Sequence, residues 1–203
     1  MVTEPIRDKR QLKALAGYWL KRGNIRNYTL IVLGVCTALR ISDLLRLTWD
    51  DVYKVNDAEG GREDPLGGDE VNGTFRTHVT LTERKTGKQK VIALNKQAIQ
   101  ALQLLYPHKR GAYIFVSNRK DEKAISRVQA WRIVKEAAIA VKIHGCISCY
   151  SLRKSAGYHW WKSGALPVLL MDIFNHSSFE ITKRYLGIAQ DDRDKIYMRL
   201  ALF

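Results

Sequence analysis

The residue pattern predicts a mostly helical α+β domain, a helical bundle that carries a small antiparallel β-sheet. Three observations lead there. Apolar residues recur at helical spacing over most of the 203 positions,. A single pair of alternating runs flanks a tight polar turn. A content of 46% hydrophobic and 27% charged residues suffices for a packed core, yet no apolar run reaches the roughly 18 residues of a membrane span.

Taken in order, Gln11–Arg22 places Leu12, Leu15, Ala16 and Leu20 on one helical face, and Asn27–Leu39 is a second, more apolar run,. Ile41–Trp49 repeats the period through Leu44, Leu45 and Leu47, with Ser42 as the expected N-cap,. Residues 56–73 are rich in glycine and acids and have no period, which predicts a mobile loop or insertion,. Alternation in Thr77–Thr82 and Lys90–Leu94 around Arg84–Lys88, a turn that contains Gly87, predicts a β-hairpin,. Helical periods return at Lys96–Leu105, Ser126–Ala140, Ser151–Lys162, Pro167–Phe174, Phe179–Leu186 and Asp191–Leu202. Pro167 suits the first turn of its helix and Gly164 the end of the one before. No linker separates two cores, so one domain over 1–203 is expected.

Charge narrows the partner. The formal net charge of +14 predicts a polyanion,. The excess is uneven: Phe75–Lys135 holds fourteen Lys and Arg against three acids, whereas residues 56–70 hold six acids and one Arg. Each lysine or arginine set against a phosphate releases counterions, so nucleic acid is the expected partner. Three cysteines make no disulfide framework and fit a reducing, cytoplasmic compartment,. The polar start has no signal-peptide core, and no membrane association is expected. Cys146 and Cys149 with His144 lack the four ligands of a structural zinc site, so neither metal nor cofactor is expected.

Five places carry polar groups that a bland helix would not demand. They are Arg40, followed by Asp43 and a leucine-rich run; Lys85 at the hairpin tip; Tyr150-Ser151-Leu152-Arg153; Asn175-His176-Ser177-Ser178; and Tyr185, nine residues after His176. Singly, each reads as a cap, a solvated charge or a packing ring. In this order and spacing they resemble the catalytic domain of the tyrosine recombinases, the phage-integrase family, over nearly the whole chain. The family's first box is matched by Arg40, Asp43, Leu44 and Leu47, its Lys-Thr-Gly hairpin by Lys85-Thr86-Gly87, its His-x-x-Arg box by Tyr150-x-x-Arg153. Its Gly-His-Ser-Ser turn is matched by Asn175-His176-Ser177-Ser178 and its nucleophile by Tyr185.

The resemblance implies a site-specific recombinase that cleaves and rejoins double-stranded DNA through a covalent 3′-phosphotyrosine. Tyr185 would attack phosphorus, Arg40 and Arg153 would clamp the non-bridging oxygens, His176 would hydrogen-bond the phosphate and Lys85 would protonate the departing 5′ oxygen. Asp43 would orient the Arg40 region. Arg84, Lys88, Lys90, Lys154 and Lys183 are the further side chains expected to meet DNA. The resemblance also implies self-association on DNA through the C-terminal segment, accessory DNA-binding factors, a bacterial or phage origin and association with the nucleoid.

Two departures qualify it. Tyr150 stands where the family usually has His, and a phenol with an ordinary pKa of about 10 is no base at pH 7. Only about forty residues precede the first box, so no separate N-terminal DNA-binding domain is expected. Asn175 in place of Gly is milder, since Asn tolerates left-handed backbone. A non-catalytic DNA-binding relative with a decayed site and a type IB topoisomerase-like relaxing enzyme are the alternatives.

Overall fold

The computed structural model describes residues 3–55, 73–118, 122–188, 194 and 197–199. Helix α1 (Lys9–Lys21) begins at Asp8, whose carboxylate accepts from the Arg10 backbone N–H at 2.7 Å, and α2 (Ile25–Cys36) begins at Asn24. Helix α2 stops at Cys36, short of the predicted Leu39. The Thr37 hydroxyl donates back to the Leu33 carbonyl at 2.6 Å, and Ala38 takes φ 50°, a left-handed conformation that costs a non-glycine residue roughly 1–2 kcal/mol. The Ile41–Trp49 run is not one helix but two short turns, α3 (Ile41–Leu44) and α4 (Trp49–Val52). Ser42 lies inside α3, and Arg40, with extended backbone, holds the N-cap position. The break has a long-range cause. Thr48 bridges Tyr113, Leu47 O accepts from Ile114 N and Trp49 N donates to Ala112 O, so the chain at 47–49 pairs with a distant segment rather than with itself.

Strand β1 (Tyr53–Val55) pairs antiparallel with β2 (Gly73–Phe75), and β3 (His78–Thr82) with β4 (Gln89–Ala93) in the register Thr82↔Gln89 to His78↔Ala93. The second pair is the predicted hairpin. The first was not legible because strands of three residues give too little alternation. Gly73 opens β2, and the rest of the predicted insertion lies outside the described residues. Helix α5 (Lys96–Leu105) runs into a 3-10 turn at Tyr106–His108. Then come α6 (Arg127–Ala140), α7 (Cys149–Lys162), α8 (Pro167–Phe174) and α9 (Phe179–Leu186). Most of the predicted Asp191–Leu202 helix, with the self-association expected of it, also lies outside the described residues. Among those residues, no helix is long and apolar enough to cross a membrane.

The main core joins Leu15, Leu30, Leu33, Leu102, Phe115, Ile133 and Leu152, all essentially inaccessible. Each such side chain contributes about 1.5–3 kcal/mol by leaving water. A second, smaller core joins Ala38, Ala156, Leu170, Phe174, Leu186 and Ile188. Two glycines let α7 serve both. A Cβ on Gly34 would stand 2.8 Å from Leu152 Cδ1, and one on Gly157 would stand 2.5 Å from Phe174 Cζ and 2.6 Å from Leu186 Cδ2. The smaller core gathers the α2–α3 corner, α7 and the α8–α9 turn around one place.

Candidate active site

That place is lined with charge. Arg40 leaves the extended corner before α3 with its side chain 16% exposed, and its Nη1 lies 2.5 Å from Glu83 Oε1. Glu83, just after β3, is 1% exposed. Its Oε2 accepts from Thr86 Oγ1 at 2.8 Å, and Lys90 Nζ stands 3.8 Å from Oε1. Burial alone would raise the Glu83 pKa, but the hydrogen bonds from Arg40 and Thr86 and the Lys90 charge more than offset it, so the carboxyl titrates below its ordinary value. Asp43 in α3 is buried; its Oδ1 accepts from the Arg84 backbone N–H at 3.0 Å. Its Oδ2 is buried with no hydrogen-bond partner among the described residues.

Arg153 sits one turn beyond Tyr150 on α7, whose start is fixed by a Ser148–Ser151 capping box,. It is 5% exposed. Nη1 donates to the Ala38 carbonyl, Nη2 to the Ile173 carbonyl at 3.5 Å, and the guanidinium carbon lies 4.8 Å from the Phe174 ring centroid. The left-handed turn at Ala38 thus aims a carbonyl at one guanidinium two residues before the chain delivers the other.

The α8–α9 turn supplies the remaining rings. Asn175 ends α8 in the left-handed conformation, φ 56°, the backbone state an Asn accepts more readily than most residues. His176 follows, with Nδ1 3.0 Å from Thr182 Oγ1 and its ring stacked on Phe174 and edge-on to Tyr185 at 5.0 Å. Burial lowers its pKa, and the charges of Arg153, Arg40 and Lys90 lower it further. Tyr185, three residues after Thr182 on α9, packs on Phe174 at 5.3 Å. Burial raises the pKa of its phenol, while Arg153, as a charge and as a hydrogen-bond donor, and Arg40 pull against that rise. The same hydroxyl also feels Tyr150.

The structure therefore brings Arg40, Arg153, His176 and Tyr185 together. Lys85 and Tyr150 stand apart from that inner group. Lys85 is exposed on the hairpin turn, and Tyr150 is 54% exposed in the first turn of α7. Both line an open cavity of about 670 Å³ shared with Arg40, Arg84 and Trp131. Arg84 and Lys88 are exposed beside the tip, Lys88 Nζ reaching Asn175 Oδ1 at 2.9 Å. Lys183 is half-buried on α9 and paired with Glu180 at 2.7 Å.

Two of the lysines expected to face DNA are turned inward instead. Lys154 is 6% exposed; its Nζ donates to Thr3 O at 2.6 Å and lies 5.1 Å from the Tyr185 ring centroid. Lys90 Nζ donates to the carbonyls of Asp172 at 3.1 Å and Ile173 at 2.6 Å, at the end of α8. Glu83 was missed in the sequence, although one signal marked it: no other acid occurs between Phe75 and Lys120. Among the described residues no group of three His, Cys, Asp or Glu converges as metal ligands would, and burial pushes the Cys149 thiol up to about 11.

Residues 66–191 match the model of the Phage integrase family. The probable integrase/recombinase YoeC of Bacillus subtilis (strain 168) is 34% identical over 197 residues, covering 97% of this chain and 96% of that one. Tyrosine recombinase XerD of Mycobacterium leprae (strain TN) is 27% identical over 159 residues, covering 72% of this chain and 48% of that one, so this chain spans about half the length of such relatives. Among solved structures, XerA recombinase aligns over 99% of this chain and 67% of its own with a TM-score of 0.70 at 16% identity. A lambda integrase dimer bound to a COC′ core site aligns over 92% of this chain and 49% of its own with a TM-score of 0.64 at 15% identity. At those identities the two structures speak to the fold alone.

Proposed function

The chain belongs to the phage integrase family of tyrosine recombinases, and on that premise we propose that it cleaves and rejoins duplex DNA through a 3′-phosphotyrosine formed at Tyr185. The observation that carries the reading is the Tyr185 ring edge-on to His176 at 5.0 Å and packed on Phe174, the ring over which the Arg153 guanidinium lies at 4.8 Å. Tyr185 Oη attacks the phosphorus, the P–O5′ bond breaks and the strand stays on the enzyme as a phosphodiester, so rejoining reverses the step without an external energy source. Arg40 and Arg153 hold the non-bridging oxygens and oppose the charge that builds there. His176, kept neutral near pH 7 by burial and three cations, contributes a hydrogen bond. The phenol proton passes to solvent, and the Lys85 ammonium gives one to the 5′ oxygen as it leaves.

Duplex DNA is the partner this chemistry requires, and the exposed Arg84, Lys85 and Lys88 suit its backbone,. The proposal includes self-association on DNA, such as the lambda integrase dimer bound to its core site displays, with accessory DNA-binding factors as further partners and the nucleoid as the place of action. The test is a nicked duplex on which the cleaved strand diffuses away and traps the adduct. The wild-type chain is expected to give a covalent protein–DNA band on a denaturing gel, and Tyr185→Phe to give none while still binding the duplex. An undiminished band from Tyr185→Phe removes Tyr185 as the nucleophile. Relaxation of supercoiled DNA that carries no recombination site identifies the topoisomerase-like alternative.

A further inference from the structure

The two guanidinium groups are joined by a closed circuit of contacts. Arg40 Nη1 meets Glu83 Oε1 at 2.5 Å, and the same oxygen lies 3.8 Å from Lys90 Nζ. Lys90 donates to the Ile173 carbonyl at 2.6 Å, and that carbonyl also accepts from Arg153 Nη2 at 3.5 Å. Arg153 Nη1 closes the circuit on the carbonyl of Ala38, two residues before Arg40. A phosphate clamp works only if its two forks keep a fixed separation and angle. Backbone alone fixes one side of that geometry, the Ala38–Arg40 corner; side chains carry the other. The Glu83 carboxylate is ionised, buried and committed to the circuit, and Lys90, with its side chain 17% exposed, spends its hydrogen bonds on two protein carbonyls.

We infer that Glu83 and Lys90 form a positioning pair that sets the distance and angle between the Arg40 and Arg153 forks, and that Lys90 serves this role rather than contact with DNA. Lys90 also grips the last turn of α8, immediately before Asn175 and His176, so the pair ties the α8–α9 turn to the hairpin that carries Lys85. Among the described residues Glu83 is the one carboxylate paired with Arg40, so a phosphate that enters the site meets a guanidinium already oriented.

The inference rests on the strand-cleavage reading, and the experiment separates the two. Single-turnover adduct formation and duplex affinity over a salt series are measured for wild type, Lys90→Met, Glu83→Gln and the double variant, with thermal melts alongside. Lys90→Met is expected to slow adduct formation by about 10- to 100-fold, as a small misplacement of catalytic groups does. Its duplex affinity and salt slope are expected to equal those of wild type. Glu83→Gln, which keeps the side-chain volume and is the variant to read if Lys90→Met does not fold, is expected to show the same split. The double variant is expected to be no slower than the worse single one, because the two residues act as one unit. A Lys90→Met chain that binds every duplex more weakly, with a salt slope lower by about one, is a lost phosphate contact and overturns the inference. So does a folded Lys90→Met or Glu83→Gln chain that cleaves at the wild-type rate, and so does a double variant whose defect is the product of the two single ones. A wild-type chain that forms no adduct overturns the strand-cleavage reading, and this inference with it.

Discussion

Arg153 and Lys85 carry the same charge and are proposed to serve the same phosphate from two differently built walls. Arg153 is 5% exposed, held by two carbonyls and an aromatic face. Lys85 stands on a turn and makes no side-chain hydrogen bond or ion pair among the described residues. On the proposed reading the inner wall binds through preorganisation: its charges are oriented before substrate arrives, which lowers the reorganisation required at the transition state. The outer wall, with Lys85, Arg84 and the half-exposed Tyr150, keeps the freedom that a proton donor needs to follow a departing oxygen. Stability and activity are therefore linked on one wall and separable on the other.

The largest effect tests that linkage. Arg153→Met is expected to abolish adduct formation and to lower the unfolding free energy by a few kcal/mol, since each buried carbonyl left without a donor costs about 1–3 kcal/mol. Lys85→Ala is expected to slow cleavage by about 10²- to 10⁴-fold, the usual range for a lost general acid, with the melting temperature unchanged. Denaturant unfolding and single-turnover cleavage on the same preparations check both. A Lys85→Ala chain that melts early, or an Arg153→Met chain as stable as wild type, breaks the comparison.

A smaller effect distinguishes the walls by pH. Burial and three nearby cations hold the His176 pKa below its ordinary 6.5. As pH falls through 6.5 the unfolded chain takes up a proton that the folded chain still refuses, so stability is full above that value and declines until the folded-state pKa is also passed. His159 on α7, half-buried with its Nε2 against the Ile6 carbonyl, shifts the same way and shares the decline. Melting temperatures between pH 7 and pH 5 are thus expected to fall for wild type and to fall less for His176→Gln. An equal fall in both would mean that His176 is as accessible to protons folded as unfolded.

The same division decides what could be read in advance. Helices α5, α8 and α9 have the bounds their periodicity predicts, because their start signals are local: Asn95, Pro167 and Ser178. The region 36–49 was misread because its structure is set from afar, by Tyr113 pairing with Thr48 and by Arg153 taking the Ala38 carbonyl. The convergence of Arg40, Arg153, His176 and Tyr185 was legible as a pattern in order and spacing. The inward turn of Lys90 and Lys154 was not, since a sequence gives the sign of a charge and not its direction. Nor was Glu83, whose partners lie 43 residues upstream as well as nearby.

The smallest effect sharpens that last point. Lys88 and Lys154 are alike in sequence terms, each a lysine expected to touch DNA. Lys88 is exposed and, among the described residues, its one side-chain hydrogen bond is to a neutral amide, so most of its charge remains available to a phosphate. Lys154 is buried, with its Nζ on the Thr3 carbonyl and Glu4 nearby, and it pins the N-terminal segment across α7. Lys88→Ala is expected to weaken binding to all duplexes alike and to reduce the slope of log affinity against log salt by about one, with no change in melting temperature. Lys154→Ala is expected to leave that slope untouched while lowering the melting temperature, because the Thr3 carbonyl loses its donor. Fluorescence anisotropy over a salt series, paired with thermal melts, reads both. A salt slope that responds to Lys154 and not to Lys88 would reverse the assignment of inner and outer cations.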